Sequence, residues 1–292
     1  MNILKSIFLG IIQGLTEFLP VSSSGHLAIA KKVFSWDLNI GVHFDILLHL
    51  GTLVALIIVF REDIWNMLRE FWGMMQTWFV NTLIFFARRK GNTKYKYIKV
   101  INSGYRKLIV MVLVSTIPTG LVGYFGKDLV NKATGTLWLV GVCLLITGTL
   151  LFLADRHVDG KIKIKDATYS SAFFMGISQG MATMPGLSRS GTTIATGLFL
   201  GYNRKLAVKY SFIMSIPAIL GAVVFDLKDL NGEAMGSKNL PGYILGTIAA
   251  GVVGFFCLKY MLKLVRTKRY MGFAIYCAVI GVTAIILNFA IR

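Results

Sequence analysis

Two short polar clusters interrupt strongly apolar stretches of this 292-residue chain, and both contain side chains that can do chemistry. The first is TEFLPVSSSGHL, residues 16–27, which carries a carboxylate, three consecutive serines and a histidine. The second is PGLSRSGTT, residues 185–193, in which an arginine stands between two serines and glycines flank the group. Ionisable groups inside apolar segments are costly and mark functional sites by default. We therefore treat the two clusters as one candidate site.

The first cluster contains the residue types of an activated nucleophile. Ser23 and His26 are three residues apart around a helical turn, so that the hydroxyl and the imidazole can come within hydrogen-bond reach. Gln13 and Glu17 are four apart and share a helix face, and Glu17 can position His26 or a metal ion. The structural alternative is a buried Glu17 whose sole role is an ion pair with Arg189.

The remaining serines of the first cluster have a more ordinary alternative. Serines in apolar helices frequently donate to the carbonyl group four residues earlier. We expect Ser22 or Ser24 to do so.

The second cluster has the features of an anion site. Gly186 and Gly191 allow backbone N–H groups to approach an anion, and a helix that starts after the loop adds its positive end. The guanidinium of Arg189 is a forked donor suited to phosphate oxygens. The alternative is an N-capping Ser188 followed by an arginine that pairs with Glu17, and both roles can coexist.

A further pair of ionisable side chains follows in the next apolar run. Asp45 and His49 are four apart and share a helix face. They can line the same cavity or bind a metal ion together with Glu17. A structural pair that bridges two helices is an equally good interpretation.

Composition predicts a membrane protein. The chain is 55% hydrophobic and only 15% charged, whereas soluble domains are about a quarter charged, and its mean hydropathy is +0.67. A net charge of +18 would suit nucleic acid. The basic residues, however, fall in separate loops between apolar runs, as they do where they set membrane orientation. We expect membrane lipids and no nucleic acid as partners.

Apolar runs of about 20 residues can cross a hydrocarbon core of about 30 Å. Six runs qualify, at residues 40–60, 108–125, 137–154, 210–225, 242–262 and 271–291. The stretches 3–30 and 170–201 are also apolar, but Pro, Gly and Ser residues interrupt them. Such breaks are tolerated at membrane depth where the backbone is buried or lines a cavity. We predict two re-entrant hairpins, each made of two short helices.

The two interrupted stretches are related in sequence. Laying residues 9–26 over 175–192 without a gap matches seven of eighteen positions, where chance gives about one. An internal duplication explains this similarity. We predict one transmembrane domain, residues 1–292, with repeat 1 at about 1–126 and repeat 2 at about 137–291.

The basic loops predict the orientation of the chain. Residues 88–107 hold eight Lys and Arg residues and no acid, so we place this loop in the cytoplasm. Gly91 is then inside and Ser237 outside. The segment 64–86 either spans the membrane or lies in its cytoplasmic interface. The interfacial placement gives inverted repeats whose broken tips meet near the midplane, and we favour it.

At these residues the sequence resembles a known family. QGLTEFLPVSSSGH and PGLSRSGTT are similar to the two signature motifs of the undecaprenyl-diphosphate phosphatases, the bacitracin-resistance membrane proteins of bacteria. Those signatures are an (E/Q)-x-x-x-E element that runs into P-V-S-S-(S/T)-G-H, and P-G-x-S-R-S-G-x-T. Both motifs are intact, in the family's order and spacing.

The resemblance implies an all-α, polytopic fold of inverted repeats with two re-entrant hairpins. It implies removal of the terminal phosphate of undecaprenyl diphosphate, which yields the monophosphate carrier for peptidoglycan synthesis and confers bacitracin resistance. It also implies a divalent metal, Mg²⁺ or Ca²⁺, and an active site open to the outer face of the bacterial plasma membrane. A homodimer is a further expectation.

The resemblance assigns roles by position. Glu17, Ser23, His26 and Arg189 are the expected catalytic residues. Glu17 and Gln13 are the expected metal ligands. Because Gln13 leaves Glu17 as the sole carboxylate of its element, Asp45 becomes a candidate helper. The residues expected to bind phosphate are Arg189, Ser188, Ser190, Gly191, Thr193, Ser22 and Ser24.

Several mechanisms and functions stay open at this point. In one mechanism Ser23 attacks the terminal phosphorus and His26 manages its proton. The rivals are His26 as the nucleophile, or a metal-activated water. The alternative function is an inverted-repeat transporter or flippase for a polyprenyl phosphate, and a third is a non-catalytic scaffold.

Overall fold

The computed structural model describes residues 3–34, 36, 41–92, 94–227, 240–264 and 270–290. Within these ranges the chain is helical, which confirms the predicted all-α fold. The helices are α1 (Ile3–Phe18), α2 (Ser23–Val33), α3 (Gly41–Val59), α4 (Arg61–Arg89), α5 (Gly104–Phe125), α6 (Lys127–Thr134), α7 (Leu137–Arg156), α8 (Tyr169–Met181), α9 (Arg189–Phe199), α10 (Arg204–Leu227), α11 (Leu240–Leu264) and α12 (Met271–Ala290). Ser237, which we predicted to be outside, lies beyond the described residues.

Five helices of the described chain are long and apolar enough to cross a membrane. They are α5, α7, α10, α11 and α12, and they confirm five of the six predicted runs. The sixth run forms α3, which meets α4 at an angle of 79°. The protein is therefore a multi-pass membrane protein.

Helix α4 is a single 29-residue helix, in which Met74 is buried. Its sharp angle to α3 favours the predicted placement in the membrane interface over a second crossing. Polar contacts attach it to the start of α5. Arg106 Nε donates to Glu70 Oε2 at 2.7 Å, and Tyr105 Oη donates to Asp63 Oδ1 at 2.7 Å. Large aromatic side chains lie exposed along the helix, at Trp65, Phe71, Trp72, Trp78 and Phe79.

The two interrupted stretches each form a pair of short helices, as predicted. Helices α1, α2, α8 and α9 have 16, 11, 13 and 11 residues, fewer than the roughly 20 needed to span a membrane. In each pair, the loop that joins the two short helices contains a residue with a positive φ angle. Gly186 has φ 91°, and Ser22 has φ 69°. A serine rarely adopts this conformation, and such strain concentrates at functional sites.

The duplicated glycines make duplicated helix contacts. Helix α1 packs on α11 and α8 packs on α5. Gly10 faces the backbone of Gly246, and Gly176 faces the backbone of Ser115. Small residues allow the paired helices to approach this closely. The matched positions therefore share their local structure, whereas the repeat boundaries and the inverted orientation stay predictions.

Candidate active site

The tips of the two hairpins meet in the structure. The Arg189 guanidinium donates to Glu17 Oε1, and the two side chains form an ion pair. The backbone N–H of Gly186 donates to Ser24 Oγ at 3.4 Å, and Ser190 Oγ donates to the carbonyl of Leu19 at 3.3 Å. The predicted convergence of the two clusters is confirmed.

Glu17 lies at the centre of the joined tips and is buried. Its Oε1 accepts from Arg189, and its Oε2 accepts from Ser23 Oγ at 2.6 Å and from Gln13 Nε2 at 2.8 Å. Burial of a charge requires such compensation. The carboxylate is held in one orientation, with a hydroxyl proton directed at it.

The spacing of Ser23 and His26 allows a hydrogen bond between them, but the structure pairs each with another group. Ser23 donates to Glu17 instead. The His26 ring uses both nitrogens elsewhere, with Nδ1 at 2.8 Å from the carbonyl of Ser22 and Nε2 at 2.8 Å from Tyr276 Oη on α12. The two side chains share a helical turn, but Ser23 faces Glu17 whereas the imidazole contacts Tyr276 of α12.

The expectation for Ser22 and Ser24 is wrong. Ser22 is the N-cap of α2 and accepts from the Gly25 N–H at 3.3 Å. Ser24 accepts from Gly186. Both residues stand at the start of the helix, where no helical carbonyl lies four residues earlier. Their hydroxyls therefore cap the helix and join the tips.

The second tip repeats the capping geometry of the first. Ser188 is the N-cap of α9 and accepts from the Gly191 N–H at 3.1 Å, so the N-cap interpretation is confirmed. Thr193 Oγ1 lies 2.6 Å from Ser211 Oγ on α10 and is fully buried. Ser190 faces Leu19, as described above. These contacts hold Gly191, Ser190 and Thr193 in the protein interior, and the expectation that they bind phosphate is not supported by their placement.

His49 and Asp45 have different surroundings, although they share a helix. His49 Nδ1 lies 3.0 Å from Gln13 Nε2 and 3.6 Å from Glu17 Oε2. Asp45 Oδ2 instead accepts from Lys31 Nζ at 2.7 Å. Asp45 is thus paired with a lysine of α2 through one of its oxygens, and its role as a metal helper stays a prediction.

A cavity of about 740 Å³ opens from the joined tips, within the range of small-molecule sites. Its polar end is formed by Glu17, Ser22, Ser23, Ser24, His49, Ser188 and Arg189. Its wall along α10 is apolar and contains Pro217, Ala218, Ile219, Ala222 and Val223. The cavity is therefore shaped for an amphiphilic molecule with an anionic head.

Three residues of the site region escaped the sequence analysis. Lys127 and Asn131 of α6 line the cavity, and Tyr276 contacts His26. Helix α6 lies between two apolar runs without a motif, and Tyr276 is one aromatic residue among many in an apolar helix. Only the tertiary contacts identify them.

The donor groups of the site suit a hard cation only in part. No three His, Cys, Asp or Glu side chains of the described residues group closely enough to hold a metal ion. Glu17 is the one carboxylate among the described residues that line the cavity. Gln13 Oε1 is buried and has no hydrogen-bond partner in the described part of the chain. Mg²⁺ is commonly bound by one or two carboxylates together with substrate phosphates, and this donor set fits that mode.

The fold and the site define a multi-pass membrane protein with a buried serine and carboxylate and a half-buried arginine at one end of an apolar cavity. Comparison with known proteins then identifies the family. The model of the bacitracin resistance protein BacA family matches residues 6–283, so the chain belongs to that family.

Individual relatives agree with this assignment. The chain is 39% identical over 288 residues to an undecaprenyl-diphosphatase of Alkaliphilus metalliredigens, with 99% of each chain covered. It is 37% identical over 293 residues to the enzyme of that name from Carboxydothermus hydrogenoformans, again with 99% of each covered. A third undecaprenyl-diphosphatase, from Methanosphaera stadtmanae, is 39% identical over 290 residues, with 99% of each covered.

Proposed function

We propose that this protein hydrolyses the terminal phosphate of undecaprenyl diphosphate to give undecaprenyl phosphate. The reaction recycles the lipid carrier of peptidoglycan synthesis and confers resistance to bacitracin. Membership of the BacA family and the names of the relatives support this function. The observation that carries it is the hydrogen bond from Ser23 Oγ to Glu17 Oε2, beside Arg189 and at the polar end of an apolar cavity.

Ser23 is the nucleophile in this proposal. Its Oγ forms a bond to the terminal phosphorus while the bond from that phosphorus to the bridging oxygen breaks, and prenyl monophosphate leaves. Glu17 accepts the hydroxyl proton, as its present hydrogen bond prepares it to do. Water then hydrolyses the phosphoserine and restores the serine hydroxyl. His26 is a poorer nucleophile, because both of its ring nitrogens are engaged, by the Ser22 carbonyl and by Tyr276 Oη, and because it is not among the described residues that line the cavity.

The phosphate groups are bound at the junction of the two tips. Arg189 is the first residue of α9, so its guanidinium and the positive end of the helix act on the same anion. When phosphate enters, Arg189 contacts both the Glu17 carboxylate and the phosphate, and it stabilises the negative charge that develops in the transition state. Ser22, Ser24 and Ser188 line the same end of the cavity and supply hydroxyl donors.

A divalent cation, Mg²⁺ or Ca²⁺, is part of the proposal. Glu17 and Gln13 would hold it, because the Gln13 amide contacts the Glu17 carboxylate through its nitrogen and its oxygen has no hydrogen-bond partner in the described part of the chain. When bound, the cation would neutralise phosphate charge.

The proposed location is the bacterial cell membrane, with the cavity facing outward. The cavity is lined by the second halves of α5 and α10. The first turns of both helices carry basic residues, among them Arg106, Lys107, Arg204 and Lys205. If these basic ends are cytoplasmic, the cavity lies in the outer half of the membrane.

Cysteine labelling in intact cells tests this orientation. In a variant that lacks the three native cysteines, Lys132→Cys should react with a membrane-impermeant maleimide. Lys90→Cys, beside Gly91, should react only after permeabilisation. The reverse pattern would overturn the proposed orientation.

A transporter or flippase is not favoured. A carrier needs groups that bind the lipid phosphate, but it has no use for a serine hydroxyl held against a carboxylate. A homodimer remains a proposal, and the exposed apolar side chains of α12, such as Val279 and Ile286, are available for it.

The direct test is phosphate release from undecaprenyl and farnesyl diphosphates by detergent-purified protein. We expect release by the wild type, loss on EDTA treatment and recovery with Mg²⁺ or Ca²⁺. Ser23→Ala and Arg189→Ala should be inactive, whereas Ser170→Ala, at an exposed serine of α8, should match wild type. Rapid quenching should trap phosphate on Ser23. An active Ser23→Ala variant would overturn the assignment of the nucleophile.

A further inference from the structure

His49 lies at the polar end of the cavity with one ring edge inside the protein and the other open. Its side chain is 37% exposed and lines the cavity. Nδ1 faces the fully buried Gln13 at 3.0 Å. The open edge of the ring is therefore the one that carries Nε2.

The orientation of the Gln13 amide is determined by Glu17. Gln13 Nε2 lies 2.8 Å from Glu17 Oε2, and a carboxylate only accepts hydrogen bonds. The reversed amide would place its oxygen against the carboxylate oxygen, two acceptors without a hydrogen between them. The amide nitrogen thus faces both Glu17 and His49, and its two hydrogens serve the two acceptors.

The amide in turn determines the tautomer of His49. Because Gln13 Nε2 donates to it, His49 Nδ1 must accept, and the hydrogen of the neutral imidazole is on Nε2. The 3.6 Å separation between His49 Nδ1 and Glu17 Oε2 is too long for a competing hydrogen bond. Glu17, Gln13 and His49 form a chain that ends in the Nε2–H group of a side chain that lines the cavity.

We infer that this Nε2–H donates a hydrogen bond to a phosphate oxygen of the substrate, and that Gln13 positions it. The inference rests on the proposed function and deepens it. His49 is then a third kind of phosphate ligand beside Arg189 and the serines, a neutral donor at the developing charge. Gln13 acts through its nitrogen on His49, while its oxygen stays available for a cation.

Two amide substitutions distinguish the role of His49 Nε2 from that of His49 Nδ1. The nitrogen of glutamine reaches the place of Nε2, whereas the shorter asparagine reaches only the place of Nδ1. We expect His49→Ala and His49→Asn to lower kcat/KM for farnesyl diphosphate about 10²-fold, and His49→Gln to stay within several-fold of wild type. His157→Ala, at the exposed C-cap of α7, is the matched control and should be unchanged. A wild-type rate in His49→Ala, or rescue by asparagine as complete as by glutamine, would overturn the inference.

A spectroscopic measurement tests the tautomer without relying on a variant's folding. The chain has four histidines, so ¹⁵N-histidine labelling gives few signals, and His49→Gln assigns those of His49. We expect an unprotonated Nδ1 and a protonated Nε2. A methylene-bridged farnesyl diphosphate analogue should shift the Nε2–H signal. A protonated Nδ1, or an Nε2–H signal that does not shift when the analogue is added, would contradict the inference.

The failure of this inference differs from the failure of the proposed function. If wild type releases phosphate, Ser23→Ala does not, and His49→Ala equals wild type, the function stands and the inference falls. If wild type releases no phosphate from either prenyl diphosphate, the proposed function falls. The tautomer measurement then still tests the Gln13–His49 contact by itself.

Discussion

Ser23 Oγ donates a 2.6 Å hydrogen bond to Glu17 Oε2 across the break between α1 and α2. The two residues are six apart and belong to different helices, so neither helix alone sets their distance. The left-handed Ser22 between them turns the chain so that the start of α2 faces the end of α1. The strained residue thus serves to place a hydroxyl against a carboxylate.

Replacing Glu17 by glutamine should nearly abolish catalysis. The amide keeps the size of the side chain but cannot take the hydroxyl proton of Ser23, so kcat should fall about 10²-fold or more. Phosphate release under saturating substrate measures this. Glu62→Gln, at an exposed position of α4, is the control. A kcat near that of wild type would show that Glu17 is not the base that takes the Ser23 proton.

Tyr276→Phe should disturb the first tip without eliminating the nucleophile. Loss of the contact between Tyr276 Oη and His26 Nε2 removes about 0.5–1.5 kcal/mol of stabilisation. We expect a lower Tm in detergent and a partial loss of activity, smaller than in Ser23→Ala. The exposed Tyr260 offers the matched Tyr260→Phe. Equal Tm values for the two variants would show that the His26 contact does not support the tip.

Filling the cavity should block the lipid without harming the fold. A Cβ added at Gly120 or Gly221 would meet no atom within 4 Å, and both residues line the cavity. Gly120→Leu and Gly221→Leu should lower kcat/KM for undecaprenyl diphosphate about tenfold. Gly272 has equally free space but lies outside the cavity lining, and Gly272→Leu should remain active. Unchanged kinetics in both cavity variants would place the prenyl chain elsewhere.

Equivalent glycines of the two hairpins should be equally intolerant of substitution. A Cβ at Gly10 would collide with the carbonyl oxygen of Gly246, and one at Gly176 with that of Ser115. Gly10→Ala and Gly176→Ala should each destabilise the protein by about 1–3 kcal/mol, seen as a lower Tm. Gly272→Ala serves as the unhindered comparison. A large difference between the two hairpins would argue against equivalent packing.

Much of the architecture could be predicted from the residues alone. The apolar runs, the breaks at the two clusters and the matched glycines follow from hydropathy and local chain geometry, which depend on near neighbours in sequence. The ion pair between Glu17 and Arg189 was also predictable, since two opposite charges in apolar surroundings have strong reason to meet.

The partners of the remaining site residues were not predictable. Ser23 and His26 are close in sequence, yet Ser23 faces Glu17 and His26 faces Tyr276. Asp45 and His49 share a helix face, yet one contacts Lys31 and the other Gln13. A spacing of three or four residues places side chains on one side of a helix but does not say which helix packs there.

The sequence by itself therefore determined the fold class, the two broken hairpins, the residue types of the site and the family to which they point. Only the tertiary structure decided that serine pairs with carboxylate, that Gln13 orients His49, and that Ser190 and Thr193 face the interior. The physical reason is that a hydrogen bond between separate helices forms only if the packing of those helices sets the donor–acceptor distance to within a few tenths of an ångström. Those distances are set by the packing of the whole bundle.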